Sequence, residues 1–312
     1  MTEAVSFFQK ALDGIREDLG HPASLLRALR DHPRLIAKIA ADPASIALYS
    51  VTRWEELGDH APTSWPRREQ GDLQGWRAGE NGRYESFRAQ RSEYAALGVE
   101  RVSAEWLCDL SQVHGFSSSK SRLEDFATTD QMVERNSPEL IAEISHERLQ
   151  ANLAHSEIRI LHDSDSSDHF VRREWDGRVF LVNGGGSHHL AAAKYIASRL
   201  GVRIPLKAPL HTHSLNAAAL ASLRGEFDMF VVGEEPFAWN AFTDAMEAYR
   251  ATWLWHPLPR PRDRGARAVL LPKSVGRSRR VADELRGAGF EDLGAHLAGL
   301  IDRQASLART SP

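Results

Sequence analysis

The spacing of apolar and polar residues changes about half-way along the chain. In residues 1–50, apolar residues recur at intervals of three and four, which predicts helices with one buried face. Residues 51–100 hold three tryptophans and show little periodicity, which predicts an irregular segment. Helical spacing returns between residues 100 and 153. We therefore expect the N-terminal half to be mostly helical.

Beyond residue 150, short apolar runs alternate with helical patterns. Strands are expected at residues 157–161, 170–175, 178–182, 202–208, 227–233 and 268–272, and helices at 190–200, 217–223 and 238–249. Residues 281–304 are expected to form two helices that are separated by a break at Gly287 and Gly289. Asp176 and Gly177 separate two of these strands, as the turn of a hairpin does. The alternation predicts an α/β domain at residues 151–312, which follows a helical and irregular region at residues 1–150.

Composition and charge exclude several classes of protein. Of the 312 residues, 42% are hydrophobic and 26% are charged, as in a globular domain, and the net charge of −3 does not favour general nucleic-acid binding. The single cysteine, Cys108, excludes an internal disulfide framework and suits a reducing compartment. No apolar run approaches the roughly 20 residues that cross a bilayer, and the first residues lack the pattern of a signal peptide. We expect a cytoplasmic protein that has no membrane partner.

The stretch from Arg178 to Gly201 combines a strand, a glycine turn and a helix. Four apolar residues form the strand, and Asn183 and residues 184–186 then interrupt it, since three glycines suit neither a strand nor a helix interior. Ser187 is placed to cap the helix, and Gly201 is placed to end it. Such a turn directs backbone N–H groups and a helix N-terminus at one point, which suits a bound anion.

The same stretch resembles the core of the ParB/sulfiredoxin-like superfamily. In that superfamily a strand enters a glycine-led turn, an alanine-rich helix follows, and a Leu-Gly-x-x-x-Pro segment enters the next strand. Residues 186–189 (Gly-Ser-His-His), 190–194 (Leu-Ala-Ala-Ala-Lys) and 200–205 (Leu-Gly-Val-Arg-Ile-Pro) follow that order. The resemblance covers residues 178–206 and implies a ParB/sulfiredoxin-like mixed-sheet core within the α/β domain.

Two departures limit what the resemblance implies. The sulfiredoxin nucleophile, a cysteine in the turn, has no counterpart, because Ser187 is the nearest residue and Cys108 is distant in sequence. The arginine that contacts phosphates in many members falls at His189, a weaker cation whose charge depends on pH. The resemblance implies binding of a nucleotide (ATP, ADP or CTP) or another phosphorylated ligand, with or without phosphoryl transfer or hydrolysis.

The predicted ligand-binding residues are Asn183, Gly184, Gly185, Gly186, Ser187, His188, His189 and Lys273. Lys273 begins a basic segment before a helix, where cations are unfavourable unless an anion is bound. Glu234 and Glu235 follow a predicted strand, where α/β folds place catalytic carboxylates, and with His189 they are the candidate acid–base residues. A second basic loop, residues 117–122, is either a phosphate contact or an ordinary serine-rich loop.

The histidines support a second hypothesis. His211 and His213 are two residues apart, so on a strand both would face the same side. Together with His188 or His189 they could bind a divalent metal that activates water. This metal-dependent hydrolase requires that the strands before and after the glycine-turn helix are neighbours. The aspartate-rich residues 163–169 lack the glycine and the distal glutamate of a calcium-binding loop.

A third hypothesis is not enzymatic. The helical N-terminal region would bind a protein partner, and the ParB-like core would be a scaffold, as in an interaction or regulatory protein of bacterial or phage origin. A nucleotide or a divalent metal is the expected cofactor under the first two hypotheses, and neither is expected under the third.

Overall fold

The computed structural model of the protein describes residues 12–59 and 69–310. The parts of the helical prediction that fall on residues 1–11 lie outside this range, as does Trp65. The described residues form two β-sheets with helices packed against them, so the α/β class is confirmed. Among these residues, no helix is both long and apolar enough to cross a membrane. The ParB/sulfiredoxin-like topology stays a prediction.

The first helix, α1, is described from residue 12 to residue 18. The others are α2 (Ala23–Asp31), α3 (Ser92–Ala95), α4 (Thr129–Asn136), α5 (His146–Leu153), α6 (Arg159–His162), α7 (Ser187–Leu200), α8 (Ala217–Glu226), α9 (Pro236–Ala248), α10 (Gly276–Gly287) and α11 (Leu293–Thr310). Short 3-10 turns occur at Pro33–Leu35, Leu48–Ser50, Trp54–Glu56, Leu110–Gln112, Leu123–Asp125 and Pro138–Ile141.

The strands are β1 (Asp72–Ala78), β2 (Tyr84–Gln90), β3 (Gly98–Asp109), β4 (Val113–Phe116), β5 (His169–Arg173), β6 (Val179–Val182), β7 (Pro205–Leu215), β8 (Phe227–Gly233), β9 (Trp253–Pro257), β10 (Ala266–Pro272) and β11 (Glu291–Asp292). They form a six-stranded sheet in the order β11-β8-β10-β9-β1-β2 and a five-stranded sheet in the order β3-β7-β5-β6-β4.

The chain forms two units that are not separated by a single boundary. The described residues of Met1–Ala40, Arg53–Gly98 and Leu215–Asp302 make up the first unit, and those of Ala41–Thr52, Val99–Ser214 and Arg303–Pro312 make up the second. The six-stranded sheet belongs to the first unit, and the five-stranded sheet to the second, except for one terminal residue each of β3 and β7. This grouping differs from the single division expected near residue 150.

The first unit contains an antiparallel sheet whose core is formed against α2, α9 and α10. Phe242 and Trp253 are fully buried there. Residues 51–100, expected to be irregular, contribute the β1–β2 hairpin, in which Trp76 stacks on Tyr84. The prediction was wrong because the apolar alternation of β2 is limited to Phe87 and Ala89, and no side chain of that strand is fully buried.

Other parts of the N-terminal half also differ from the expected helices. Residues 98–116 contain β3 and β4, although Val99 and Val102 are separated by a helical interval. Residues 157–161, expected as a strand, lead into the short helix α6, and the third helix expected before residue 50 is only the turn Pro33–Leu35. The prediction of a mostly helical N-terminal region is therefore wrong, because pairing within the sheets overrides local spacing.

The second unit contains a mixed sheet. β5 and β6 form the expected antiparallel hairpin, with Gly177 at a φ of 82° in its turn. β7 pairs in parallel with β5, and β4 pairs in parallel with β6. The strands before and after α7 are therefore not neighbours, because β5 occupies one edge of β6 and β4 occupies the other. β7 also continues through Pro209.

Helix α7 packs in this unit through a face of small residues. Ala191–Ala193 and Ile196 are fully buried, which allows α4 and α5 to pack closely against the helix. Gly201, at a φ of 68°, ends the helix as expected. The N-terminus of α7 follows the end of β6 after the glycine turn, and it opens into a cavity.

Candidate functional site

A cavity of about 730 Å³ lies at the N-terminus of α7. Four segments of the second unit contribute to its lining: the Ser118–Ser121 loop, residues 136–140, residues 155–159 and the turn Gly184–His189. The predicted glycine turn and the serine-rich basic loop therefore meet in one site. Pockets of roughly 300–1,000 Å³ are typical of sites that hold small-molecule ligands.

The three glycines allow a neighbouring chain segment to approach the turn. Gly186 has a φ of 72°, and a Cβ atom there would lie 2.9 Å from the backbone oxygen of Glu157. A Cβ on Gly184 would lie 3.0 Å from Nη1 of Arg159, whereas one on Gly185 would make ordinary contact with Glu157 at 3.4 Å. Gly186 is therefore required by the backbone, and Gly184 leaves room for a guanidinium group.

Asn183 stabilises the glycine turn through hydrogen bonds, so its role in the site is structural. Its side-chain nitrogen donates to the carbonyl oxygens of Ser118 (3.1 Å) and Gly185 (2.9 Å), and it is 5% exposed. Gly184 N–H donates to Asp168 Oδ1 at 3.0 Å, so this N–H is already used. The helix itself has no side-chain cap, because Gly186, rather than Ser187, holds the capping position. The first turn of α7 is therefore the part left to bind a ligand.

Two cations line the cavity. Among residues 12–59 and 69–310, the side chains of Lys120 and Arg159 have no hydrogen-bond or ion-pair partner. Glu139 and Glu157 also line the cavity, so the fixed side-chain charges cancel. The helix N-terminus adds a partial positive charge on the side of the glycine turn. Arg159 lies over Gly184, so its guanidinium group and the helix N-terminus are on the same side of the cavity.

His188 links two walls of the cavity. Its Nε2 lies 3.0 Å from Ser121 Oγ, and its Nδ1 lies 2.5 Å from Ser137 Oγ. The pKa of His188 is lowered, first by burial and then by the nearby charge of Lys120, while Glu139 acts in the opposite direction. His188 is thus neutral near pH 7 and has a hydroxyl partner on each ring nitrogen.

His189 is held in one tautomer. Its Nδ1 lies 3.1 Å from Oδ1 of Asn152, whose side-chain nitrogen donates to the carbonyl oxygens of Leu140 and Arg148. Because that oxygen can only accept, Nδ1 carries the proton and Nε2 keeps a lone pair. The ring of His155 stacks on that of His189 at 3.7 Å. The pKa of His189 is lowered, mainly by burial and then by His155, so His189 is a neutral acceptor rather than a phosphate-binding cation.

Three predicted residues do not line this cavity. Glu234, Glu235 and Lys273 belong to the first unit. Glu234 accepts a hydrogen bond from Arg267 Nε at 2.6 Å, and Glu235 caps α9 by accepting from the N–H of Ala238. Lys273 donates to the carbonyl oxygen of Arg224 at 2.5 Å. Each has a structural contact in its own unit, and the structure does not bring them to the glycine turn.

His211 and His213 are not brought together with His188 and His189. His211 Nδ1 lies 2.7 Å from Oε1 of Glu100 on the neighbouring β3, and neither His211 nor His213 lines the cavity. The expectation of a shared histidine site is therefore wrong: β5 lies between β7, which carries His211 and His213, and β6, which leads into the helix that carries His188 and His189. In the part of the chain that the structure describes, no group of three His, Cys, Asp or Glu side chains has the arrangement of a metal site.

Several residues of the cavity were not predicted from the sequence. Ser137, His155 and Arg159 line the cavity, and Asn152 contacts it through His189, and these residues are brought there by the packing of α4 and α5 on α7 and by the chain that follows α5. The signal that came nearest was the Ser-Lys-Ser loop of residues 117–122, for which a phosphate contact was one of two interpretations.

All four segments that line the cavity fall within a known protein family. A family described as a family of unknown function (DUF6685) matches residues 103–310. The chain belongs to this family. No curated protein and no solved structure matches the chain. The DUF6685 match begins inside β3 and ends with α11, so it includes the whole of the cavity as well as much of the first unit.

Proposed function

We propose that the protein binds a nucleotide or another phosphorylated small molecule in the cavity at the N-terminus of α7. The observation that supports this most strongly is that two cationic side chains line the same cavity as a helix N-terminus that has no side-chain cap. Lys120 and Arg159, which have no side-chain partner among the described residues, line the same cavity as the first turn of α7. Cationic side chains and backbone N–H groups are the usual partners of phosphate oxygens.

The two cations suit different parts of such a ligand. Arg159 lies over Gly184, so its planar guanidinium is placed to bind a phosphate group that also accepts from the N–H groups of the helix. Lys120 lies on the Ser118–Ser121 loop, and its flexible side chain carries a point charge. Ser118 lines the cavity beside it, and its hydroxyl can add a further donor.

The remaining lining residues favour a ligand that is more than a phosphate ion. Glu139 and Glu157 accept hydrogen bonds, and the neutral His189 offers its Nε2 lone pair. A ligand that has hydroxyl or amino groups beside its phosphates satisfies both sets of protein groups. Nucleotides and sugar phosphates have this chemistry, and inorganic phosphate does not.

Thermal unfolding of the full chain with a panel of ligands tests the proposal. ATP, ADP, CTP and ribose 5-phosphate are compared with inorganic phosphate, and a ligand at 100 times its dissociation constant stabilises by about 2.7 kcal/mol. Arg159→Met and Lys120→Met should each weaken the affinity of the best ligand by about tenfold, or about 1.4 kcal/mol.

Lys207→Met is the matched control, since Lys207 is exposed, pairs with Glu105 and does not line the cavity. Its affinity should equal that of the unchanged protein. The proposal is wrong if no ligand in the panel shifts the unfolding temperature, or if all three variants bind the best ligand equally well.

A further inference from the structure

A serine and a histidine in the cavity have the arrangement of an activated nucleophile. Ser121 Oγ lies 3.0 Å from His188 Nε2, and His188 Nδ1 lies 2.5 Å from Ser137 Oγ. A hydroxyl within hydrogen-bond reach of a base, with a third group that orients the base, is the common geometry of nucleophilic catalysis. The contact also joins the Ser118–Ser121 loop to α7, so a structural function has to be distinguished from a chemical one.

A neighbouring amide belongs to the same hydrogen-bond network. Asn136 Nδ2 donates to Ser121 Oγ at 2.6 Å and leaves the Ser121 proton free for another acceptor. In the neutral tautomer of His188 that is protonated at Nδ1, Ser121 donates to Nε2, and Nδ1 donates to Ser137 Oγ. The chain of donors runs from Asn136 through Ser121 and His188 to Ser137.

Accessibility distinguishes the two serines. Both line the cavity, but Ser137 is only 4% exposed, whereas Ser121 is partly exposed and adjoins Lys120. An incoming phosphorus atom can reach Ser121, and the buried hydroxyl of Ser137 can only orient His188. His188 is also the second residue of α7, so the base and the backbone N–H groups proposed to bind phosphate lie at the same end of the helix.

We propose that Ser121 is the nucleophile of a phosphoryl-transfer reaction in this cavity and that His188 is its general base. The inference rests on the proposed function, because Lys120, Arg159 and the N-terminus of α7 must hold the phosphoryl group. The substrate class is a phosphate ester or anhydride with a hydroxyl-bearing body. Ser121 and His188 are the catalytic residues, and Ser137 is a positioning residue.

The reaction balances in two steps. In the first, Ser121 Oγ bonds to phosphorus, the bond from phosphorus to the leaving oxygen breaks, and the Ser121 proton passes to His188 Nε2. The imidazolium then gives this proton to the leaving oxygen. In the second step, His188 takes a proton from water, the water oxygen bonds to phosphorus, and Ser121 leaves with the proton that His188 returns.

A serine-reactive fluorophosphonate tests the nucleophile without knowledge of the natural substrate. Its phosphorus bonds to an activated serine oxygen, fluoride leaves, and the serine proton goes to the base. The full chain should be labelled once, at Ser121, as located by peptide mass spectrometry. Ser121→Ala should abolish the label, and His188→Gln should slow it by about 10²-fold.

Ser198→Ala is the control, since Ser198 is exposed on the same helix and does not line the cavity. It should label as fast as the unchanged protein. In a parallel experiment, p-nitrophenyl phosphate and p-nitrophenyl acetate are compared as substrates, and release of p-nitrophenolate should be seen with the phosphate and be lost in Ser121→Ala.

The outcomes distinguish this inference from the proposed function. If nucleotides bind but the reagent labels no serine, or labels Ser137, the nucleophile assignment is wrong and the binding proposal stands. If Ser121 is labelled but only the acetate is turned over, the phosphoryl class is wrong. If no ligand binds and no serine is labelled, both proposals fail.

Discussion

Asn152 Oδ1 accepts the Nδ1 proton of His189 at 3.1 Å, and it does so from a side chain that is 2% exposed. The amide is locked because its nitrogen donates to two carbonyl oxygens, those of Leu140 (3.0 Å) and Arg148 (3.1 Å). One buried side chain thus ties α5 to the preceding turn and also decides which nitrogen of His189 can accept a hydrogen bond from a ligand.

The first prediction concerns this amide. Asn152→Leu removes three side-chain hydrogen bonds, including the buried partner of His189 Nδ1, so the free energy of unfolding should fall by roughly 2 kcal/mol. Urea denaturation measures this loss, and nitrogen NMR of His189 should show both neutral tautomers in place of one. Gln150→Leu, on an exposed position of the same helix, should change stability by less than about 0.5 kcal/mol. Equal effects of the two substitutions would contradict the prediction.

The second prediction is that stability falls as the medium becomes acidic. The pKa values of His114, His188 and His189 are all lowered in the folded protein, in each case chiefly by burial. Below the unfolded pKa of about 6.5, the unfolded chain takes up protons that the folded chain does not, so the free energy of unfolding falls with pH. The loss of stability begins near pH 6.5 and ends at the lower pH at which the histidines of the folded protein also take up protons.

Urea denaturation at intervals from pH 7.5 to pH 5 measures this dependence. The double substitution His188→Asn with His189→Asn should make the decline shallower, because His114 then remains as the contributor from this group. An unchanged slope in the double variant would show that the two cavity histidines are not the source.

The third prediction concerns ligand affinity and pH. On the sequence alone, His189 in place of an arginine would make the affinity for a phosphorylated ligand fall between about pH 6 and pH 8. Because the pKa of His189 is lowered, we now expect a flat profile from pH 7 to pH 8 and tighter binding only under more acidic conditions. Calorimetric titration with the best nucleotide, in buffers of equal ionic strength, decides between these two profiles.

The fourth prediction compares two glycines of the turn. Gly186→Ala should destabilise the fold by roughly 1–2 kcal/mol, because an L-residue at a φ of 72° is strained and its Cβ would meet Glu157. Gly184→Ala should leave stability almost unchanged and weaken ligand binding, because its Cβ displaces only the flexible end of Arg159. Unfolding and nucleotide titrations on both variants measure the contrast. If neither variant binds the ligand more weakly, Arg159 is not part of the site.

Much of the C-terminal half could be predicted from local patterns. The strand at residues 227–233 and the hairpin turning at Gly177 have their apolar runs and turn residues in immediate sequence, and both are confirmed. The helix that ends at Gly201 is also confirmed. By contrast, one of the two buried positions of β1 is a glycine, Gly75, and no side chain of β2 is fully buried, so the apolar alternation of this hairpin is too short to mark it.

The site could be predicted only in part, because several of its residues come together through packing between distant segments. The glycine turn is a local motif, but Arg159 was hidden in residues that were predicted as a strand and that form α6 instead. Asn152, Ser137 and His155 acquire their functions from the packing of α4 and α5 on α7, which no local spacing records.

The interleaving of the two units has a consequence for synthesis on the ribosome. β1 is made together with its hairpin partner β2, but its other neighbour in the sheet, β9, begins at Trp253. At roughly 5–20 residues per second, that strand follows after about 10–30 s. Residues 99–214, which hold all but the first residue of β3 and all but the last residue of β7 as well as β4, β5 and β6, are translated in this interval, so the five-stranded sheet can form first. Until β9 is made, the β1–β2 hairpin has one unpaired edge. The opposite charges of Arg77 and Glu85 on this hairpin would disfavour pairing with a neighbouring nascent chain.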